Sequence, residues 1–219
     1  MFDWSKIETV LLDMDGTILD LHFDTFFWME HLPLRYSEHY DVPIAQAREA
    51  LISDYESVVG TISWYCLDYW AEKTKMPIRE LKREVEHLIQ LREDAHDFLV
   101  ALRQAGKDVV LVTNAHPDAL SLKIERTQLD QYFDTLYSTH EFGVTKESQE
   151  LWHKLQHKHG FDKATTLFVD DNIPVLNSAK QYGIGHILAV ANPDSKQGVN
   201  DMGDYLSITD YRTIVGDIV

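Results

Sequence analysis

Val10-Leu11-Leu12-Asp13-Met14-Asp15-Gly16-Thr17 is a short apolar run that stops on a carboxylate, meets a second carboxylate two residues later, and then turns on a glycine. A run of this kind bounded by turn residues predicts a buried strand ending abruptly in a loop. Three further apolar runs, at 108–114, 165–171 and 185–190, follow the same plan, and the first two of them also close on polar residues. Strands apolar at every position are buried on both faces, as in a parallel sheet covered by helices.

Between the runs lie helical patterns at 97–103, 117–129, 146–159 and 173–182, three of them followed by a glycine that serves as a C-terminal stop. Alternation of strand and helix predicts an α/β protein with a Rossmann-like doubly wound parallel sheet, whose ligands sit at the carboxyl ends of the strands. Residues 21–92 break that alternation. They are rich in Trp, Tyr, Leu, Glu and Arg at helical spacing, with breaks at Asp41-Val42-Pro43, Gly60-Thr61 and Met76-Pro77, and so predict an inserted helical domain of about four helices. The expected division is a core of 1–20 with 93–219 and an α-helical cap of 21–92.

Composition narrows the partners. Among 219 residues, Lys+Arg number 20 and Asp+Glu 36, a net charge of −16, which argues against nucleic-acid polymers and anionic membranes. A hydrophobic fraction of 44% supplies a core. An anionic ligand must therefore be held by something local, such as a metal ion, a lysine or helix N-termini. Cys66 is the only cysteine, so disulfides and thiolate cages are excluded and a small buried hydrophobe is expected. The first nine residues lack a basic start and an apolar run, so the expected location is cytoplasmic. The oligomeric state is left open.

The polar strand ends carry the chemistry. Asp13 and Asp15 can direct one carboxylate at a reaction centre while Gly16 lets the backbone turn beneath it; one can be a nucleophile or metal ligand, the other a general acid or base. Thr113 and Asn114 place a hydroxyl and an amide for phosphate oxygens, Lys146 adds a fixed positive charge, and Asp170 with Asp171 can complete an oxygen-only Mg²⁺ site.

In that order, Asp13-Met14-Asp15-Gly16-Thr17, Thr113-Asn114, Lys146 and Asp170-Asp171 make the chain resemble the haloacid-dehalogenase-like hydrolase superfamily over essentially its whole length. The insert between the first two motifs is similar to the superfamily's helical-cap subgroup. The resemblance implies a Mg²⁺-dependent phosphatase in which Asp13 forms an aspartyl-phosphate, while Asp15 protonates the leaving oxygen and then activates water. It further implies that Lys146 spans nucleophile and phosphate, that Thr113 holds phosphoryl oxygens, and that Asp13, the main-chain carbonyl of Asp15 and Asp171 bind Mg²⁺. Asp171 aligns with the Asp of the commoner Gly-Asp form and Asp170 with its Gly; a register shift of one would exchange them. Many members carry another Asp four positions on, where this chain has Val175. Dehalogenases typically lack the second acid of the first motif, so Asp15 argues against carbon–halogen cleavage.

The longer runs at 11–24, 113–117, 138–143 and 192–195 resemble the branch of purine nucleotidases that act on GMP and IMP, which makes a purine nucleotide the expected partner. Two alternatives remain: a phosphatase of small sugar or glycolytic phosphomonoesters, and a non-catalytic phosphate-binding module, which would be expected to have lost Asp13 or Asp15. In the cap, Trp28, Trp64, Tyr65, Tyr69 and Trp70 are candidates for stacking on a purine or for core packing. His22, Phe23 and Asp24 are candidates for base or ribose contact or for a hinge or core role, and His116 for the leaving group or for opening a helix. His153, His157 and His159 are expected on a solvated helix face.

Overall fold

In the computed structural model, which describes residues 2–219, the opening run forms β1 (Thr9–Leu12), followed by β2 (Asp108–Thr113), β3 (Thr135–Ser138), β4 (Thr166–Asp170), β5 (His186–Val190) and β6 (Ser207–Ile208). All pairs are parallel, in the order β3-β2-β1-β4-β5-β6. This is a Rossmann-like doubly wound sheet, and its order reverses between β1 and β4. Crossovers leave those two strands in opposite directions, opening a crevice at their carboxyl ends. Asp13 follows β1 and Asp170 ends β4, so both carboxylates fall at that crevice.

From β1 the chain enters α1 (His22–Phe26), α2 (Leu32–Tyr40), α3 (Ile44–Val58), α4 (Ile62–Tyr65), α5 (Leu67–Thr74) and α6 (Ile78–Glu84) before returning through α7 (Ala95–Gln104) to β2. A π-helical turn at Phe27–His31 joins α1 to α2, so the insert has five helical stretches: the three expected breaks occur, and a fourth at Cys66 separates α4 from α5. The segments entering and leaving it touch each other. Leu19 and Leu91 form an isolated antiparallel bridge, the Asp20 amide donates to the Gln90 carbonyl at 3.1 Å, and the Arg92 amide donates to the Ile18 carbonyl at 3.0 Å.

The remaining crossovers are α8 (Pro117–Thr127), α9 (Gln149–His159) and α10 (Ile173–Tyr182), and α11 (Arg212–Val215) closes the chain. Successive side chains of a strand point to opposite faces. Leu11 accordingly packs with Trp152, Leu176 and Phe168 on one face, whereas Val10 and Leu12 pack with Phe98, Leu99 and Tyr211 on the other. The latter cluster runs on without a break into the insert through Phe27, Leu51 and Trp70.

Two expectations need correction. The helix expected over 146–159 starts at Gln149, because the Ser148 side chain caps it by accepting from the Glu150 amide. Lys146 therefore sits in the preceding loop. β3 and β6 are additions: β3 has four residues, the first two only half-buried, and β6 has two, so neither presents the continuous apolar run that marks the other strands.

Candidate active site

Asp13 is placed by its amide, which donates to the Val169 carbonyl at 3.0 Å and so ties the end of β1 to β4. The Lys146 ammonium donates to Asp13 Oδ1 and, at 2.7 Å, to Asp170 Oδ2. Trp152 fixes the loop carrying this lysine, its indole N–H donating to the Lys146 carbonyl at 3.1 Å. Asp170 Oδ1 accepts from the Asn172 amide at 2.8 Å, so both its oxygens are engaged. Asp171, by contrast, takes no side-chain hydrogen bond among the described residues. One carboxylate oxygen from each of Asp13, Asp170 and Asp171 lies within 4.8 Å of the others.

Three carboxylates thus face one ammonium. Burial pushes Asp13 up to about 6 against the pull of Lys146; burial also raises Asp171 well above the carboxylate range, and the Asp170 and Asp13 charges add to it. Lys146 is held protonated by the same two aspartates despite its burial. The donor set is all oxygen and strongly anionic, which suits a hard cation such as Mg²⁺. Gly16 makes room for it: φ is +84°, and a Cβ there would stand 2.7 Å from Asp171 Oδ2 and 2.9 Å from Pro193 Cβ. Val175 is buried and lines the cavity without adding a carboxylate.

Asp15 belongs to a second network that the sequence pattern did not reveal. The Lys123 ammonium donates at 2.6 Å to Asp15 Oδ1 and at 2.6 Å to Asp24 Oδ2, and Lys82 donates at 2.8 Å to Asp24 Oδ1. Lys82 also lies over the Phe27 and Phe23 rings, 4.4 and 4.7 Å from their centroids. The group joins the first motif to the insert (Asp24 of α1, Lys82 of α6) and to α8 of the core (Lys123). Burial pushes Asp15 up to about 6 while Lys123 opposes the rise. For Asp24, burial is outweighed by Lys123 and Lys82, which hold it well below the usual range. A signal for both lysines exists: Lys82 follows Ile78 and Leu81, and Lys123 follows Ala119 and Leu122, so each occupies the apolar stripe of its helix.

Thr113 ends β2 with its hydroxyl accepting from the Ala115 amide at 3.0 Å, which leaves its own hydrogen to donate into the cavity. Asn114 is occupied differently from expectation. Its Oδ1 accepts from the Lys146 amide and from Thr139 Oγ1, each at 3.0 Å, and its Nδ2 donates to Glu147 at 3.0 Å. Its side chain thus locks the second motif to the lysine loop. Tyr65 of the insert donates to the other Glu147 oxygen at 3.0 Å, bridging insert and core.

These groups line one cavity of about 300 Å³ with carboxylates and lysines at its floor. Trp28, Trp64 and Tyr65 form part of its wall, whereas Trp70 is fully buried in the core and Tyr69 packs against it. Phe23 is likewise core, and His22 lies 3.6 Å from Asp194. His116 opens α8, its Nδ1 accepting from the Asp118 amide at 3.2 Å, and it also lines the cavity. His153 is exposed and His159 pairs with Asp108 at 2.7 Å. Cys66 corrects the expectation of a buried hydrophobe: it is only half-buried, in the break between α4 and α5.

Residues 7–183 match the model of the haloacid dehalogenase-like hydrolases. The chain belongs to this family. It is 42% identical over 216 residues to the GMP/IMP nucleotidase YrfG of Escherichia coli, an alignment covering 99% of this chain and 97% of that one. In fold it is similar to a HAD phosphatase from Thermococcus onnurineus (TM-score 0.76, 22% identity, covering 96% of this chain and 99% of that one). It is also similar to the HAD-hydrolase YfnB from Bacillus subtilis, solved bound to magnesium (TM-score 0.69, 18% identity, 97% and 98% covered). As a member of this hydrolase family, the protein is an enzyme. Among its described residues no helix is long and apolar enough to cross a membrane.

Proposed function

We propose that the protein is a Mg²⁺-dependent phosphatase that hydrolyses purine nucleoside 5′-monophosphates, GMP and IMP, in the cytoplasm. It is a phosphoric monoester hydrolase. The observation that carries this reading is a buried carboxylate, Asp13, held against Lys146 beside a second carboxylate, Asp15, that has its own cation in Lys123. The full-length identity to a GMP/IMP nucleotidase supports the choice of substrate.

Asp13, Asp171, Asp170 and the main-chain carbonyl of Asp15 would hold Mg²⁺, which when bound supplies the charge that lets a carboxylate approach a phosphate dianion. Asp13 attacks phosphorus and the ester P–O bond breaks. Asp15 gives its proton to the departing nucleoside oxygen. As a carboxylate it then takes a proton from water, which attacks the aspartyl-phosphate, releasing inorganic phosphate and regenerating Asp13. A group lifted to about 6 can serve in both directions near neutral pH. Lys146 neutralises the phosphoryl oxygens, Thr113 donates its hydroxyl to one of them, and Asn114 positions Lys146. Residues 21–92 act as the cap, with Trp28, Trp64 and Tyr65 offering ring faces to the base.

The test is phosphate release from GMP, IMP, AMP, UMP, phosphoglycolate and sugar phosphates, with Mg²⁺ and with EDTA. Selective, EDTA-sensitive release from GMP and IMP is expected. Release from the small metabolites alone would retain the chemistry and overturn the substrate.

A further inference from the structure

We infer that Cys66, His116 and His140 form a second metal site, separate from the carboxylate cluster, for a borderline-soft divalent cation of the zinc class, and that an ion there ties the helical insert to the core. One donor atom from each residue, the thiol sulfur and a ring nitrogen of each histidine, lies within 4.8 Å of the others. In a tetrahedral zinc site, with bonds of about 2.0–2.3 Å, donors stand roughly 3.3–3.7 Å apart. Side-chain rotations of about an ångström close that gap. The two imidazoles already meet edge to face, with centroids 5.0 Å apart.

The second, independent observation is His140 Nε2, which is buried and has no hydrogen-bond partner. A buried polar atom left unpaired is costly, and the exceptions call for a ligand or a functional reason. Burial, with the His116 ring beside it, lowers the pKa of the His140 imidazole and so favours its neutral, metal-binding form. A neutral imidazole with one ring nitrogen buried and bare can offer that nitrogen to a metal, and His140 Nε2 is such an atom. For His116 to ligate through Nε2 its proton must move to Nδ1, which gives up the Asp118 amide it now accepts from at 3.2 Å and, with a small rotation of the ring, meets the Asp118 carboxylate, now 3.7 Å away. The Asp68 carboxylate, bound to Arg79 at 2.8 Å, lies 3.4 Å from His116 Nε2 and adds negative charge near the ion without belonging to the donor group.

Ligand chemistry separates this site from the Mg²⁺ candidate. Thiolate and imidazole select zinc-class ions, whereas the three aspartates select hard ions. Placement gives the consequence. Cys66 belongs to the insert, between α4 and α5, while His116 and His140 follow β2 and β3 of the core. An ion shared by them fixes the insert over the cavity, one residue from the Tyr65–Glu147 link.

The experiment is equilibrium dialysis of the full chain against Zn²⁺ in saturating Mg²⁺, repeated with Cys66→Ser, Cys66→Ala, His140→Gln and Asp171→Asn. Metal-free melting curves verify that each variant folds. One tightly bound Zn²⁺ is expected in the parent chain, about 100-fold weaker binding in the Cys66 and His140 variants, and unchanged binding in Asp171→Asn. Co²⁺ should give a thiolate-to-metal charge-transfer band that Cys66→Ser abolishes. Parent-like Zn²⁺ binding by Cys66→Ser and Cys66→Ala, its loss in Asp171→Asn, or no Zn²⁺ in the parent chain would each overturn the inference. None of these readouts depends on the substrate or on turnover.

Discussion

Lys123→Met tests the network around Asp15 most sharply. The lysine is 2% exposed and donates to two carboxylates, while Lys82 supplies the second cation. Asp15 and Asp24 are balanced by Lys82 and Lys123. Methionine keeps most of the volume but leaves two buried carboxylates facing one ammonium. Removing one partner of a buried ion pair costs about 3–5 kcal/mol. For a chain of this size each kcal/mol shifts the melting temperature by about 2–4 °C, so a fall of roughly 6–20 °C is expected by calorimetry. Adding Asp24→Asn removes one stranded charge, and the double variant should regain about 1–3 kcal/mol of that loss. Asp15 also loses the donor that orients it. Since a positioned acid–base group contributes about 10²–10⁴-fold, kcat should fall by about 10–100-fold with KM little changed. A variant that melts within about 2 °C of the parent and retains its kcat would refute the assignment of Lys123 as the positioning residue for Asp15.

Asp171→Asn should raise the melting temperature in EDTA at pH 7 while abolishing Mg²⁺-dependent turnover. An acid whose folded pKa is raised loses stability as pH climbs from its unfolded value through the folded one, so the ionised Asp171 opposes folding and a neutral amide does not; an unchanged or lower melting temperature would contradict this. Gly16→Ala combines a positive φ with a Cβ 2.7 Å from Asp171 Oδ2. It should cost about 1–2 kcal/mol from the backbone alone and raise the Mg²⁺ concentration needed for half-maximal activity, both readable from denaturant melts and a Mg²⁺ titration. Trp28→Ala should raise KM for GMP by about tenfold, as expected for a lost base-stacking contact of about 1–3 kcal/mol, without altering turnover of an accepted phosphate ester that lacks a base. Equal losses on both substrates would place Trp28 in cap packing instead.

Much of the fold was legible because four strands carry an uninterrupted apolar run between polar ends, the pattern a doubly covered parallel sheet requires. β3 was not, since Thr135 and Leu136 at the sheet edge are half-buried and relax that requirement. The start of α9 depended on a serine cap two residues from an equally plausible beginning at Lys146. The motif residues were visible because carboxylates and a Thr-Asn pair interrupt apolar runs. Lys82 and Lys123 gave only a fainter signal, their place on the apolar stripes of their helices. A lysine on a helix is ordinary, and its meaning depends on the partner that long-range packing brings to it, here Asp24 from 58 and 99 residues away. Asn114 shows the same limit from the other side: its place was readable, but the work of its amide depends on Glu147 and the Lys146 backbone, which only the folded loop supplies.

The bridge between Leu19 and Leu91 has a consequence for how such a protein can diversify. To the sheet, everything between those residues is one excursion that departs and returns at a single point. Loop-closure entropy grows only with the logarithm of length, so an excursion of about 70 residues costs the core only about 2 kcal/mol more than one of about 10. The sheet can therefore exchange a whole substrate-reading module, or lengthen and shorten it, at little thermodynamic cost. The three groups that couple Asp15 to the module, Lys123, Asp24 and Lys82, are where such an exchange would have to be reconciled, because they commit the chemistry of the first motif to this particular insert.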